Sequence, residues 1–437
     1  MRVFMLGWEF PPFISGGLGT ACHGLTKALS AQQIDVTFVL PKAIGPDYTS
    51  HVRLLSPQSP RAVEGVKSPQ SVASRHELDP VEFANVRFKA VPSRMVSPYQ
   101  SAGGKLHDAA IVTGARNDTV LEDAQPPEYD GDLLVEAQRF AGLCVDMARG
   151  ESIDVIHAHD WMTFPAGLAV ARATGKPLVV HVHSTEFDRS GNNVYQPVYD
   201  IERRGMHGAV RVIAVSYLTK SIIQHRYGIH TGKIDVIYNG IENGHVPSAR
   251  RATIKRGDKI VLFLGRITMQ KGPEYFVYAA KKVLEKYDRV KFVMAGSGDK
   301  VRDVIDLAAA EGIGHKVLFT GFLRGDDVER VFNMADVYVM PSISEPFGIA
   351  PLEAIRCDVP VIISKTSGVA EVLTHVLKVD FWDIDEMANK IIAILRHPPL
   401  SSTLREQADI EVSRLTWHDA AAKCHRVYQD VAAVMPA

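Results

Sequence analysis

Short, continuous apolar runs rich in Val and Ile recur along the chain. "RVFMLG", "DVTFVLP", "DVIHAH", "LVVHVH", "VRVIAVS" and "DVIYNGI" come first; "KIVLFLGR", "VKFVMAGSG", "KVLFTGF", "DVYVMP" and "VPVIIS" follow. Apolar character that does not alternate with polar predicts strands buried on both faces of a parallel sheet. Helical patterns lie between many of them. In "GPEYFVYAAKKVLEKY", Pro273 stands near the first turn and Phe276, Ala279, Ala280, Val283 and Leu284 share one stripe. Strand and helix in alternation predict right-handed crossovers and a doubly wound α/β fold.

The rhythm breaks at 243–258, "NGHVPSARRATIKRGD", a polar, basic, strand-poor stretch. We read it as the linker between two Rossmann-like domains, 1–245 and 246–415, facing across a cleft. The last segment, 416–437, reads as an amphipathic helix capped by Thr416 and able to pack back on the first domain. Residues 51–130 hold several prolines and little periodicity, the pattern of an irregular insertion in the first domain. A length of 437 residues agrees with two domains, since one ordinary domain takes about 150.

Composition narrows the partners. Hydrophobic residues make up 46% and charged residues 23%, and 49 basic against 50 acidic side chains leave a charge of −1. This is the balance of an ordinary globular protein and implies neither a nucleic acid nor a membrane surface as partner. Cys22, Cys144, Cys357 and Cys424 are far apart with no CxxC spacing, which signals no disulfide framework and no zinc knuckle and fits a reducing cytoplasm. The start "MRVFMLGWEFPP" reads as a first strand, not a secretory signal. No apolar stretch reaches the roughly 18 residues that span a bilayer.

Ligands of open α/β sheets bind beyond the carboxyl ends of strands, so motifs that directly follow a strand carry the chemistry. After the first strand, Gly16, Gly17 and Gly19 make a glycine-rich turn ahead of a helix, able to face an anion or simply to let helix and strand pack closely. Its spacing is not that of a dinucleotide fingerprint. His157/His159 and His181/His183 lie at period two on two strands. They are packing histidines or metal ligands, and for His183 a place in a substrate cleft is the reading we prefer over a metal. Arg266 and Lys271 follow the first strand of the second domain and suit a diphosphate that gains charge as a bond breaks, or else form a solvated pair. In "SEPFGIAPLEA", Gly348 permits a turn before a helix that starts around Ala350 or Pro351, so the N–H groups of Gly348, Ile349 and Ala350 point toward an anion. Glu345 stays in the loop and Glu353 sits in the first helical turn, where it also complements the helix dipole. Asp383 and Asp385 resemble a metal-binding DxD, but they precede a helical pattern and are read as caps.

Arg266-x4-Lys271 followed by Glu345-x7-Glu353 resembles the donor-site signature of retaining glycosyltransferases of family four, with the two-domain GT-B fold. "PPFISGGLGT", "HAHDW", "VIYNGI", "GSGD" and "FTGF" fall in the expected order, so the resemblance runs along nearly the whole chain. The first domain is most similar to glycogen and starch synthases, but the loop "FISGGLG" lacks the lysine of their KxGG pattern. The resemblance implies that Glu353 binds ribose hydroxyls, Glu345 the transferred sugar, and Arg266 with Lys271 the diphosphate. Gly16 and Gly17 would approach that diphosphate across the cleft, and the turn from Phe347 to Ala350 would complete the donor site. Backbone groups around Phe322 would hold the base, and His183 would line the sugar site. Asp160 and Trp161 of "HAHDW" become candidates for the acceptor side.

The implied reaction moves a hexose, glucose above all, from ADP- or UDP-glucose to an α-glucan with retention of configuration. No metal and no cofactor are implied beyond the nucleotide-diphosphate sugar, which is a substrate. A small glycoside, disaccharide or lipid acceptor is the alternative on the same fold. A non-catalytic nucleotide-sugar-binding protein is a further one, against which the intact Arg266, Lys271, Glu345 and Glu353 argue.

Overall fold

The apolar runs assemble into two parallel sheets in a computed structural model that describes residues 1–11, 16–41, 84–91, 133–242 and 257–434. The first sheet comprises β1 (Arg2–Leu6), β2 (Asp35–Pro41), β3 (Val86–Val91), β4 (Val155–His159), β5 (Leu178–Val182), β6 (Arg211–Ala214) and β7 (Ile234–Val236). The second comprises β8 (Lys259–Leu264), β9 (Val290–Ala295), β10 (Val317–Gly321), β11 (Val337–Met340), β12 (Val361–Ser364) and β13 (Leu377–Val379). Their orders are β3-β2-β1-β4-β5-β6-β7 and β10-β9-β8-β11-β12-β13. In each sheet the order of strand addition reverses once, between β1 and β4 and between β8 and β11, which is where crevices open at the carboxyl ends of doubly wound sheets.

Both faces of each sheet are covered, as the continuous apolar runs require. On one face of the first sheet Met5, Phe38, Val155, Val179 and Ile213 pack with the helices Gly17–Ala31 and Trp417–Val434. On the other, Phe4, Ile156, Ala158, Val180 and Val212 pack with Leu133–Ala148, Phe164–Thr174 and Gln196–Gly208.

The C-terminal helix therefore returns to the first domain. Thr416 caps it, its hydroxyl accepting from Asp419 N at 3.0 Å, and Ile241 bridges Thr416. Trp417, Tyr428 and Val431 are buried there, each contributing roughly 1.5–3 kcal/mol of hydrophobic stabilisation. Trp417 fits because its neighbour on the facing helix is Gly24: a Cβ at that position would lie 2.3 Å from the indole.

Three strands differ from the sequence reading. Within the stretch read as an irregular insertion, 86–91 form β3, which pairs with β2 over six residues. β13 carries too few residues to stand out, and β7 stops at Val236 where "DVIYNGI" suggested a longer run. The linker residues 243–256, the loop 12–15 and most of 51–130 lie outside the described residues.

Candidate active site

Arg266 and Lys271 follow β8. A single 3-10 turn, Met269–Lys271, ends at Gly272, whose φ of 61° is left-handed and whose missing Cβ leaves room for Pro341 O. That close approach sets Lys271 against the loop after β11, where Ile343 N donates to Gln270 O at 2.9 Å. The Lys271 ammonium bonds Glu345 Oε2, an oxygen that Ser342 Oγ also reaches at 3.2 Å. Glu345 is only 6% exposed. Its backbone is locked as well: Glu345 N donates to Thr366 O, Gly368 N to Glu345 O and Val369 N to Phe347 O. Gly348, at φ 100°, then turns the chain into the helix Ala350–Arg356.

Ile349 and Ala350 open this helix, and its first backbone bonds run from Leu352 and Glu353 to Ile349 O. Glu353 is half-buried in the first turn, and desolvation lifts its carboxyl to about 7. The Phe347 side chain is buried in the second domain's core, its ring centroid 5.8 Å from that of Tyr238. Phe322 stands at the rim, half-exposed, with the Arg324 guanidinium 5.3 Å above its ring.

The first domain supplies the opposite wall. Glu9, just past β1, is buried and accepts from Gly19 N at 3.3 Å. Burial pushes its carboxyl up to about 7, against the opposing pull of the Gly19 N–H and the Arg266 charge across the cleft. Sequence reasoning missed Glu9. The signal was an acid between a strand end and a glycine turn. Gly16 leaves room for the Glu9 carboxylate, since a Cβ there would sit 2.7 Å from Oε2, whereas a Cβ on Gly17 would meet nothing within 4 Å.

Beyond β4, Asp160 adopts φ 58° and its Oδ1 accepts from His183 N at 2.7 Å and Ser184 N at 3.3 Å. Burial raises its carboxyl to about 7. Trp161 is packed in the first domain's hydrophobic core, and Asp160 spends its carboxylate on the 183–184 turn. His183 reaches the cleft wall, its Nε2 2.9 Å from His159 Nδ1. Burial keeps all four histidines of this face below their ordinary pKa, hence neutral at pH 7.

Contacts between the domains converge on the Glu345 loop. Ser344 Oγ donates to Asp188 Oδ1 at 2.5 Å, and Ser216 Oγ donates to Pro346 O at 2.6 Å. Nearby, the Glu371 carboxylate accepts from Tyr217 N at 2.9 Å, Leu218 N at 2.7 Å and Tyr238 OH at 3.0 Å. None of Asp188, Ser216 or Glu371 stands out in the sequence, because each partner in the other domain is at least 130 residues distant. Asp383 caps its helix through Glu386 N, as expected. The four cysteines are free, and among the described residues no helix is long and apolar enough to cross a membrane.

Two doubly wound domains, with cations and carboxylates at the switch points facing each other, define a GT-B glycosyltransferase. Residues 247–410 match the family described as Glycosyl transferases group 1, and residues 103–243 match Glycosyltransferase Family 4. The chain belongs to these glycosyltransferases and is a hexosyltransferase. It is 36% identical over 392 residues to an uncharacterized glycosyltransferase of Methanocaldococcus jannaschii, covering 86% of this chain and 83% of that one. It is 27% identical over 380 residues to glycogen synthase of Mycobacterium tuberculosis, covering 86% and 80%. Among solved structures it is similar to sucrose-phosphate synthase of Thermosynechococcus elongatus, with TM-score 0.72 at 19% identity over 99% of this chain and 100% of that one. Anabaena HepE in complex with UDP and glucose gives TM-score 0.67 at 17% identity, covering 98% and 99%. These structural likenesses establish the fold.

Proposed function

We propose that this chain is a retaining hexosyltransferase that moves glucose from ADP- or UDP-glucose to an α-glucan. The observation that carries the reading is the convergence of Arg266, Lys271 and Glu345 at one crevice, opposite Glu9 and close to the His183 segment. Arg266 and Lys271 hold the diphosphate; Lys271 leaves its contact with Glu345 as the phosphate arrives. Glu345 then accepts hydrogen bonds from the sugar, Glu353 from the ribose diol, and backbone groups near Phe322 hold the base. Gly17 leaves open space on the first-domain side for the diphosphate.

The mechanism that suits these groups is a front-face displacement. The bond from the anomeric carbon to the diphosphate oxygen breaks, and the acceptor hydroxyl attacks from the same side. The departing phosphate takes the acceptor's proton. Fixed positive charge stabilises the leaving group, so the displacement itself needs no metal at the diphosphate. Glu345, held by Ser342 and its fixed backbone, is a sugar ligand in this reading and not the covalent nucleophile of a retaining glycosidase. The glycogen synthase relative favours a glucan acceptor. A small acceptor is the second reading, favoured by D-inositol 3-phosphate glycosyltransferases at 28% identity over 288 residues.

Thermal unfolding against a panel of nucleotide sugars, followed by transfer assays on glycogen and small sugars, tests this. Stabilisation by ADP- or UDP-glucose and transfer to glycogen, undiminished without added Mg2+ or Mn2+, is expected. Stabilisation by neither donor, or transfer only to small acceptors, would overturn it.

A further inference from the structure

His157 and His159 on β4 and His181 on β5 point from the same sheet face, beneath the C-terminal helix, and all three are fully buried. A ring nitrogen from each lies within 4.8 Å of the others. The hydrogen bonding of the cluster is one-sided. His157 Nδ1 pairs with Tyr428 OH at 2.7 Å and His159 Nδ1 with His183 Nε2 at 2.9 Å, while His157 Nε2, His159 Nε2 and both His181 nitrogens have no partner. A buried polar atom with no partner costs about 1–3 kcal/mol, and these three neighbouring rings hold four such atoms.

We propose that His157, His159 and His181 form a buried, structural site for one divalent transition-metal ion of the zinc type. Three imidazoles with no carboxylate or thiolate suit a borderline ion and not calcium or magnesium. Metal-bound histidines characteristically donate their second ring N–H to another group, which fixes the tautomer and the ring orientation. Tyr428 and His183 are placed to receive those bonds. The ion would tie β4 to β5 under the C-terminal helix, and His159 would carry its orienting effect to His183 in the cleft.

The test uses the full chain, purified and dialysed against Zn2+ or Co2+, with metal content measured by mass spectrometry and Co2+ by its visible absorption. Binding of about one ion per chain is expected, with the intense absorption of low-coordinate Co2+ and an upward shift of the unfolding temperature. His157→Phe and His181→Asn, each checked for fold by circular dichroism, should weaken binding at least ten-fold and abolish the zinc-dependent shift. Absence of stoichiometric metal in the folded wild-type chain overturns the proposal and would mean that water satisfies these nitrogens. Unchanged binding in a folded variant overturns it too. If neither variant folds, the wild-type measurement decides alone.

Discussion

Lys271 and Glu345 carry two burdens that substitution can separate. Removing the ammonium alone strands a carboxylate that is nearly inaccessible to water. Lys271→Ala should therefore lose about 1–3 kcal/mol of stability and at least ten-fold in turnover. The double variant Lys271→Met with Glu345→Gln removes both charges and should regain most of that stability while remaining inactive. Denaturant unfolding and transfer rates measured on the same samples check this; recovery of both together would contradict the assigned roles. Glu353 makes a pH prediction. Its carboxyl is raised to about 7 in the fold by burial, so the folded state holds a proton that the unfolded chain has released above its ordinary range near 4.5. Stability from this group is present below about 4.5 and is lost as pH rises through about 7. Donor binding should run the other way, because ribose hydroxyls need the ionised acceptor. Affinity measured by calorimetry should fall as pH drops below about 7, and the slope should become shallower in Glu353→Gln.

At the scale of elements, legibility followed burial. β1, β2, β4, β5, β8, β9 and β11 were readable because strands covered on both faces admit few polar residues, and the runs survive as unbroken apolar words. β3 and β13 were not, and both are edge strands. Arg87 and Lys378 on these strands are the kind of charge that edges use against unwanted pairing, and they break the apolar pattern. The loop from Glu345 to Gly348 was legible as a turn before a helix because glycine and proline mark it. Its locking partners at 366–369 were not, because strand-like pairing between loops has no periodicity. Gly24→Val gives an element-scale prediction: the added side chain collides with the Trp417 indole. The C-terminal helix should then loosen from the first domain, with earlier protease cleavage near residue 416 and a lower unfolding temperature. A variant as stable as the wild type would mean that the helix does not depend on this contact.

For the whole molecule, the two switch points work only when the domains are together, and the residues that join them act on the Glu345 loop. Ser216 holds Pro346 O, Asp188 holds Ser344, and Glu371 reaches the backbone N–H groups of Tyr217 and Leu218. Ser216→Ala and Glu371→Gln should raise KM for the donor several-fold with smaller effects on kcat, because neither side chain is placed against a reacting atom. A loss confined to kcat would contradict this. These contacts were invisible in the sequence, as was the approach of Glu9 to Arg266, since each joins residues that only the fold brings together. The cations and acids of the second domain were legible because one loop and one turn hold them at short spacing.

The most direct test of the central claim is the anomeric configuration of the first product formed from ADP- or UDP-glucose on a glucan acceptor, read by NMR before equilibration. An α-linked product from the α-linked donor is expected, with the signal at least ten-fold weaker in Glu345→Ala. A β-linked product, or undiminished transfer by that variant, would contradict it.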